Sequence, residues 1–419
     1  MTAPADFLID HADLVVTCAG PAPRAGAGQG AIAAMPSASL AGWQGRIVAV
    51  GAADVVARAV RLAPDAVVVD GRGRTVLPGF VDPHTHLVYA GDRRDELARR
   101  LAGASYAEIA ADGGGIVRTV TATRAASLDA LVAAARPRLA DALAHGTTTC
   151  EVKSGYGLDT AAELRMLRAI RVLDGAQPVE LSATFMGAHE LPVEYRDRRD
   201  DYVRLVIDEM LPAVAAEGLA EWNDVFCEQG VFTPEESRRI LEAGRRLGLA
   251  PRLHADELAA SGGARLAAEI GAVSADHLIH TTGQDADAMA AAGVIATLLP
   301  AAAFFLKLGR YAPARLFVER GVAVALATDM NPGGGFSPSM PFVIALACFA
   351  MGLTLEEAIV AATANAAAAL RRADRVGSLE VGKQLDAVVL DGPIADLVRV
   401  GAPVVRAVVK RGAIVAGAA

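Results

Sequence analysis

Between residues 76 and 330 the chain repeats one pattern: a short apolar run, a polar cluster at its end, and an alanine-rich stretch with helical spacing. The runs are Leu77–Val81, Thr147–Val152, Val179–Met186, Asp224–Cys227, Ala250–Leu253, Ala272–Ala275, Val294–Leu299 and Val322–Ala327. Alternation of such strand-like runs with helical stretches predicts a parallel sheet. Eight such units predict an α/β fold of the (β/α)₈ TIM-barrel type. An open doubly wound sheet ranks below it, because no Gly-x-Gly-x-x-Gly turn follows the first strand.

The two ends of the chain carry a different pattern. Strand-like segments at Asp13–Thr17, Arg46–Val50 and Ala66–Val69 precede the repeats, with Ala19–Gly42 reading as an irregular Gly/Ala/Pro-rich loop. Ala387–Leu390 and Val404–Val409 follow the repeats, set between the turn signals Val381-Gly382-Lys383 and Asp391-Gly392. The simplest organisation is a small β-sandwich domain built from residues 1–75 and 373–419, flanking a barrel of residues 76–372.

Composition narrows the function classes. A net charge of -8 gives no basic footprint for nucleic acid or anionic membranes. The uncharged run Ala288–Leu306 is interrupted by Pro300 and reads as a buried strand with its following loop, while Met340–Leu355 reads as a packed helix; no membrane span is expected. Cys18, Cys150, Cys227 and Cys348 show no paired spacing, which fits a reducing compartment. The N-terminus has neither a basic region nor an apolar signal core, so the expected location is cytoplasmic.

The reactive side chains gather at the predicted C-terminal ends of strands, where barrel enzymes build their sites. His84 and His86 lie two apart after the first run, so strand alternation turns both to one face. A lone His-x-His is weak, since two histidines hydrogen-bonded in a polar mouth give the same pattern. His254 at the end of the fifth run and Asp329 after the eighth strengthen it. Three imidazoles and one carboxylate suit a single Zn²⁺ or Fe²⁺/Fe³⁺ ion with a position left for water.

Pro78-Gly79-Phe80-Val81-Asp82-Pro83-His84-Thr85-His86, together with His254-Ala255-Asp256-Glu257, Asp276-His277 and Thr328-Asp329, resembles the amidohydrolase superfamily. Within it, Arg99–Tyr106, Gly113–Ile116, Glu151–Gly157, Gly187–His189 and Asp329–Gly333 resemble the imidazolonepropionase family. That resemblance implies metal-dependent opening of 4-imidazolone-5-propanoate to N-formimidoyl-L-glutamate in histidine degradation, by a homodimer. It implies that His84, His86, His254 and Asp329 bind the metal and that Glu257 and His277 are catalytic. It further implies that Arg93, Tyr106, Tyr156, His189, Glu257, Asn331, Gly333 and Gly334 surround the substrate. Two departures from the family pattern stand out: Ala301-Ala302 after the seventh run, and Gly334 where a hydroxyl residue is expected.

The residue chemistry is compatible with these roles. Glu257, three residues after His254, sits where a carboxylate can approach the metal without ligating it. His277 can serve metal-bound water or the oxyanion, or add a fifth ligand. Arg93 would pair with a propionate through a bidentate guanidinium, although it also stands in the charged run Asp92–Glu96, whose ordinary fate is solvation. Glycines on both sides of Tyr156 permit close backbone approach to a ligand. Two rivals carry different chemistry: an aminohydrolase of the cytosine or guanine deaminase kind, and a metal-free binding protein on an inactivated barrel.

Overall fold

The computed structural model describes residues 2–104, 108–109 and 113–418; Tyr106 lies outside the described residues. Five strands come first, β1 (Ala3–Val16), β2 (Ala34–Trp43), β3 (Arg46–Ala52), β4 (Val60–Asp70) and β5 (Thr75–Pro78). The barrel strands follow: β6 (Phe80–Asp82), β7 (Thr147–Lys153), β8 (Glu180–Ala188), β9 (Trp222–Cys227), β10 (Ala250–Ala255), β11 (Ser274–His277), β12 (Ile295–Leu298) and β13 (Val324–Leu326). The chain ends in β14 (Ala387–Leu390), β15 (Val405–Lys410) and β16 (Ala413–Gly417).

Strands β6 to β13 pair in sequence order, each neighbour parallel. The ring closes at its mouth. There the Asp329 N–H donates to the His84 carbonyl at 3.1 Å, and the His86 N–H donates to the Met330 carbonyl at 2.9 Å. The segments leaving the last and first strands therefore run side by side, which brings two of the expected ligand segments together. Below them the Asp82 carboxylate accepts from the Thr328 N–H at 3.1 Å and from its hydroxyl at 2.5 Å, tying the same two segments again.

Helices pack outside the strands, and their limits follow local chemistry. Before the helix Pro234–Arg246, the Thr233 hydroxyl accepts from the Glu236 N–H while the Glu236 carboxylate accepts from the Thr233 N–H. With Pro234 in the first turn, this is a capping box, and Ile240 and Leu241 point into the core. The helix expected in Met340–Leu355 spans Met340–Met351. Among the described residues no helix is long and apolar enough to cross a membrane.

The terminal strands form one mixed sheet in the order β16-β15-β14-β5-β1-β2-β3, with β4 alongside β1. Antiparallel pairing of β5 with β14 joins the two ends of the chain. The sheet turns back on itself: the Leu385 N–H donates to the Gly45 carbonyl at 2.9 Å, and Gly42 sits against the Leu385 side chain. Phe7, Ile9, Leu40, Ile47, Val389 and Val409 fill the core so enclosed.

Two local expectations change. Ala34–Trp43, expected within a loop, is strand β2, paired antiparallel with β1 from Phe7↔Gly42 to Val16↔Ala34. The run Leu77–Val81 is divided between two sheets, β5 in the terminal sheet and β6 in the barrel. Gly79 makes the transfer: its N–H donates to the Asp386 carbonyl at 2.9 Å, and a β-carbon there would stand 2.6 Å from Thr148 Cγ2.

Candidate metal centre and active site

Barrel interiors are ordinarily filled by branched apolar side chains. This one is charged below its mouth. Glu151 and Lys153 of β7, Asp224 of β9, Arg252 of β10 and Asp276 of β11 are all fully buried. Lys153 Nζ lies 2.7 Å from both Glu151 Oε1 and Asp224 Oδ2. Arg252 stands 3.6 Å from Asp276 Oδ2, and Lys153 3.9 Å from the same oxygen. Burial by itself lowers the pKa of Lys153, but Asp224 and Glu151 more than reverse that and hold the ammonium charged.

Above this floor the carboxylates orient imidazoles. Asp276 Oδ2 lies 2.6 Å from His84 Nδ1, and Asp224 Oδ2 lies 3.1 Å from His254 Nδ1. An anion at Nδ1 fixes the tautomer with its proton there, leaving each Nε2 as a lone-pair donor directed upward. His84 Nε2 is buried and has no hydrogen-bond partner among the described residues, the Nε2 atoms of His86 and His254 are 3.2 Å apart, and Asp329 Oδ1 is 3.7 Å from Nε2 of both His84 and His86. Lone pairs converging in this way repel one another and are satisfied together by one cation, so the donor set fits a divalent metal. Burial first, then neighbouring positive charge, keeps His84 and His86 well below their usual pKa and so neutral, the ligating form. Burial likewise pushes Asp329 up to about 8.

Two further histidines border this cluster. His277 ends β11 and approaches Glu257 Oε1 with Nδ1 at 3.5 Å; His84, His254 and His277 each offer an atom within 4.8 Å of the others. His189 follows β8, stacks on His86 at 4.8 Å between ring centroids, and has Nδ1 3.0 Å from the Gly155 carbonyl. Gly155 holds φ of +103°, and a β-carbon there would stand 2.9 Å from His189 Nδ1, so this glycine makes the room. Tyr156 lies beside His189 at 5.2 Å between rings. Burial, then Asp329 and Glu228, raise the Glu257 pKa well above the usual carboxylate range.

Glu257 is carried on a loop pinned from two sides. Asp256 accepts from the N–H groups of Ser261, Gly263 and Ala264, and Glu228, after β9, accepts from the Leu258 N–H at 2.8 Å. These anchors fix the backbone that carries Glu257.

A cavity of about 570 Å³ opens over the cluster. His86, His254, His277, Asp329 and Glu257 form one end; Arg93 and Arg100 stand in its wall with Asn331, Gly333 and Gly334. Arg93 is buried, in contrast to the solvated fate open to it as one of a run of charges, and its Nε donates to Glu96 Oε2 at 2.8 Å. Asn331 is occupied within its own turn: its Nδ2 donates to the Asp329 carbonyl at 2.7 Å, and its Oδ1 accepts from Gly333 and Gly334 N–H. It thereby braces Asp329, whose φ of +50° would otherwise be unfavourable. Ala301 and Ala302 are buried on the helix Pro300–Phe305.

Sequence reasoning found the cluster and missed its support. Asp224, Arg252, Glu228 and Glu96 were not singled out, although a signal existed. Glu151-x-Lys153 and Arg252-x-His254 put charges at alternate positions of strands that should be apolar throughout, which only a polar barrel interior can accommodate.

The model of the amidohydrolase family matches residues 75–415. Imidazolonepropionase of Symbiobacterium thermophilum is 53% identical over 415 residues, covering 98% of this chain and 97% of that one. Imidazolonepropionase of Geobacillus kaustophilus is 53% identical over 351 residues, covering 83% of this chain and 82% of its own. Among solved structures, a zinc-bound adenosine deaminase of Xanthomonas campestris aligns with a TM-score of 0.72 at 20% identity, over 99% of this chain and 93% of the other, a likeness of fold. With the converging imidazoles at a barrel mouth and identity of this extent over nearly its whole length, the chain belongs to the imidazolonepropionase family of amidohydrolases.

Proposed function

We propose that the chain hydrolyses the ring amide C–N bond of 4-imidazolone-5-propanoate, giving N-formimidoyl-L-glutamate in histidine degradation. The observation that carries the reading is one cavity with a metal-binding donor set at one end and the Arg93 guanidinium in its wall. His84, His86, His254 and Asp329 would hold one ion per chain, zinc or iron. When bound, that ion supplies Lewis acidity for the ring carbonyl and acidifies a water.

The remaining chemistry falls to side chains. Glu257 takes a proton from the attacking water and returns it to the departing ring nitrogen, a task suited to a carboxyl whose pKa burial has raised. His277, 3.5 Å from that carboxylate, donates a hydrogen bond to the carbonyl oxygen as charge develops. His189 and Tyr156 flank the ring, and Arg93 receives the propanoate. The carbonyl carbon becomes the new carboxylate, so no ammonia leaves. Catalysis belongs to the barrel, 76–372, flanked by the small domain of 1–75 and 373–419; strand Thr75–Pro78 crosses that boundary, since the change of sheet falls at Gly79. A cytoplasmic homodimer follows from the family likeness.

The test compares chelator-stripped protein with the same protein reloaded with Zn²⁺ or Fe²⁺. Loss of the imidazolone absorbance with the reloaded protein alone is the expected result; no loss with either ion overturns the reading.

A further inference from the structure

We infer that Glu96 sets how far Arg93 reaches into the cavity, and through it the length of acid side arm the site accepts. The inference rests on the function proposed above. Glu96 lies in the first turn of the helix Arg94–Leu101 and is 2% exposed. Its two oxygens serve different segments: Oε2 accepts from Arg93 Nε and Oε1 accepts from the Gly115 N–H, each at 2.8 Å. A carboxylate gripped at both oxygens cannot swing, and Gly114 leaves it space, since a β-carbon there would stand 3.0 Å from Oε1.

With Nε held by Glu96, the other end of the guanidinium is the one lying over Gly333 at the cavity wall. Recognition of a carboxylate at two points requires a fixed guanidinium plane, and Glu96 holds one edge of that plane. Ile116, next after Gly115, also lines the cavity, so the same carboxylate ties the cation to the wall. An acid in a first helical turn ordinarily does no more than complement the helix dipole from the surface. That task needs neither burial nor a bond to Gly115. The donor set is fixed by the barrel strands and Arg93 by Glu96, so the span between reacting carbonyl and side-arm carboxylate is set by two rigid points.

Glu96→Gln keeps the shape, but its amide nitrogen must face either Arg93 Nε–H or Gly115 N–H, donor against donor, and one contact is lost. The experiment measures kcat and KM of the metal-loaded protein for 4-imidazolone-5-propanoate and for its analogue with a side arm one methylene shorter. Wild type should prefer the propanoate by about tenfold or more in kcat/KM. Glu96→Gln should lose about 10²-fold on the propanoate, mostly in KM, with the preference moving toward unity and metal content unchanged. In an Arg93→Ala background the same change should have no further effect, because Glu96 acts through Arg93. If Glu96→Gln does not fold, Glu96→Asp takes its place in the same cycle. A variant with the wild-type preference, or one additive with Arg93→Ala, overturns the inference alone. Absence of turnover of either compound by wild type overturns the proposed function and the inference with it.

Discussion

The guanidinium of Arg93 occupies the space that a β-carbon on Gly333 would fill. Gly333 has no left-handed backbone to explain it, so the requirement for glycine here is close approach. Gly333→Ala should push the guanidinium off its position and reduce kcat/KM for the propanoate substrate by about 10²-fold, chiefly through KM. Metal analysis should find the ion content unchanged. Normal KM in the variant would mean that Arg93 does not contact substrate.

Arg93→Ala would remove the proposed partner of the propanoate itself. A loss of about 2 to 5 kcal/mol in substrate binding is expected, as for truncating one member of a buried charge pair. An analogue lacking the carboxylate should bind equally well to variant and wild type, as measured by competition against turnover.

Metal uptake should be linked to protons through Asp329. Burial raises its pKa to about 8, so in the metal-free protein it carries a proton at pH 7, whereas His84 and His86 are already neutral. Ligation needs the carboxylate, so binding at pH 7 should release about one proton per chain, and affinity should fall as pH is lowered. Titration calorimetry in buffers of different ionisation enthalpy reads this number; zero protons would mean that Asp329 is already ionised in the metal-free protein or does not ligate.

Lys153→Met tests the charged floor of the barrel. It leaves Glu151 and Asp224 buried without their shared ammonium, and removal of one partner from such a group costs about 3 to 5 kcal/mol. Denaturant unfolding should show that loss, accompanied by weaker metal binding because Asp224 orients His254. Unchanged stability would mean that the carboxylates are neutral without the lysine.

Much of this architecture could be read from the residue pattern. The eight runs marked the barrel strands to within a few residues, because each is rich in β-branched and apolar residues and ends in a polar cluster. His84, His86, His254 and Asp329 were legible because each ends such a run. What stayed hidden depends on partners distant in sequence. Strand β2 contains Pro36 and small residues of weak strand propensity, and it forms because β1 offers a complementary edge. The division at Gly79 reflects contact with Thr148 and Asp386, neither visible from its neighbours. Glu96 reads as one of a run of charges in sequence, because its partner Gly115 lies nineteen residues later.

Glu257→Gln separates the proton relay from metal binding. The amide keeps the carboxylate's shape but relays no proton, so turnover should fall by about 10² to 10⁴ with metal content intact. Loss of the ion would make Glu257 a ligand, and near-normal turnover would transfer the relay to His277.

Opening of the ring amide releases no nitrogen, and product analysis of one complete turnover reaction distinguishes it from deamination. With 4-imidazolone-5-propanoate and metal-loaded protein, N-formimidoyl-L-glutamate should equal the substrate consumed, with no enzyme-dependent ammonia. Ammonia formed in step with substrate loss would contradict it and make the protein an aminohydrolase.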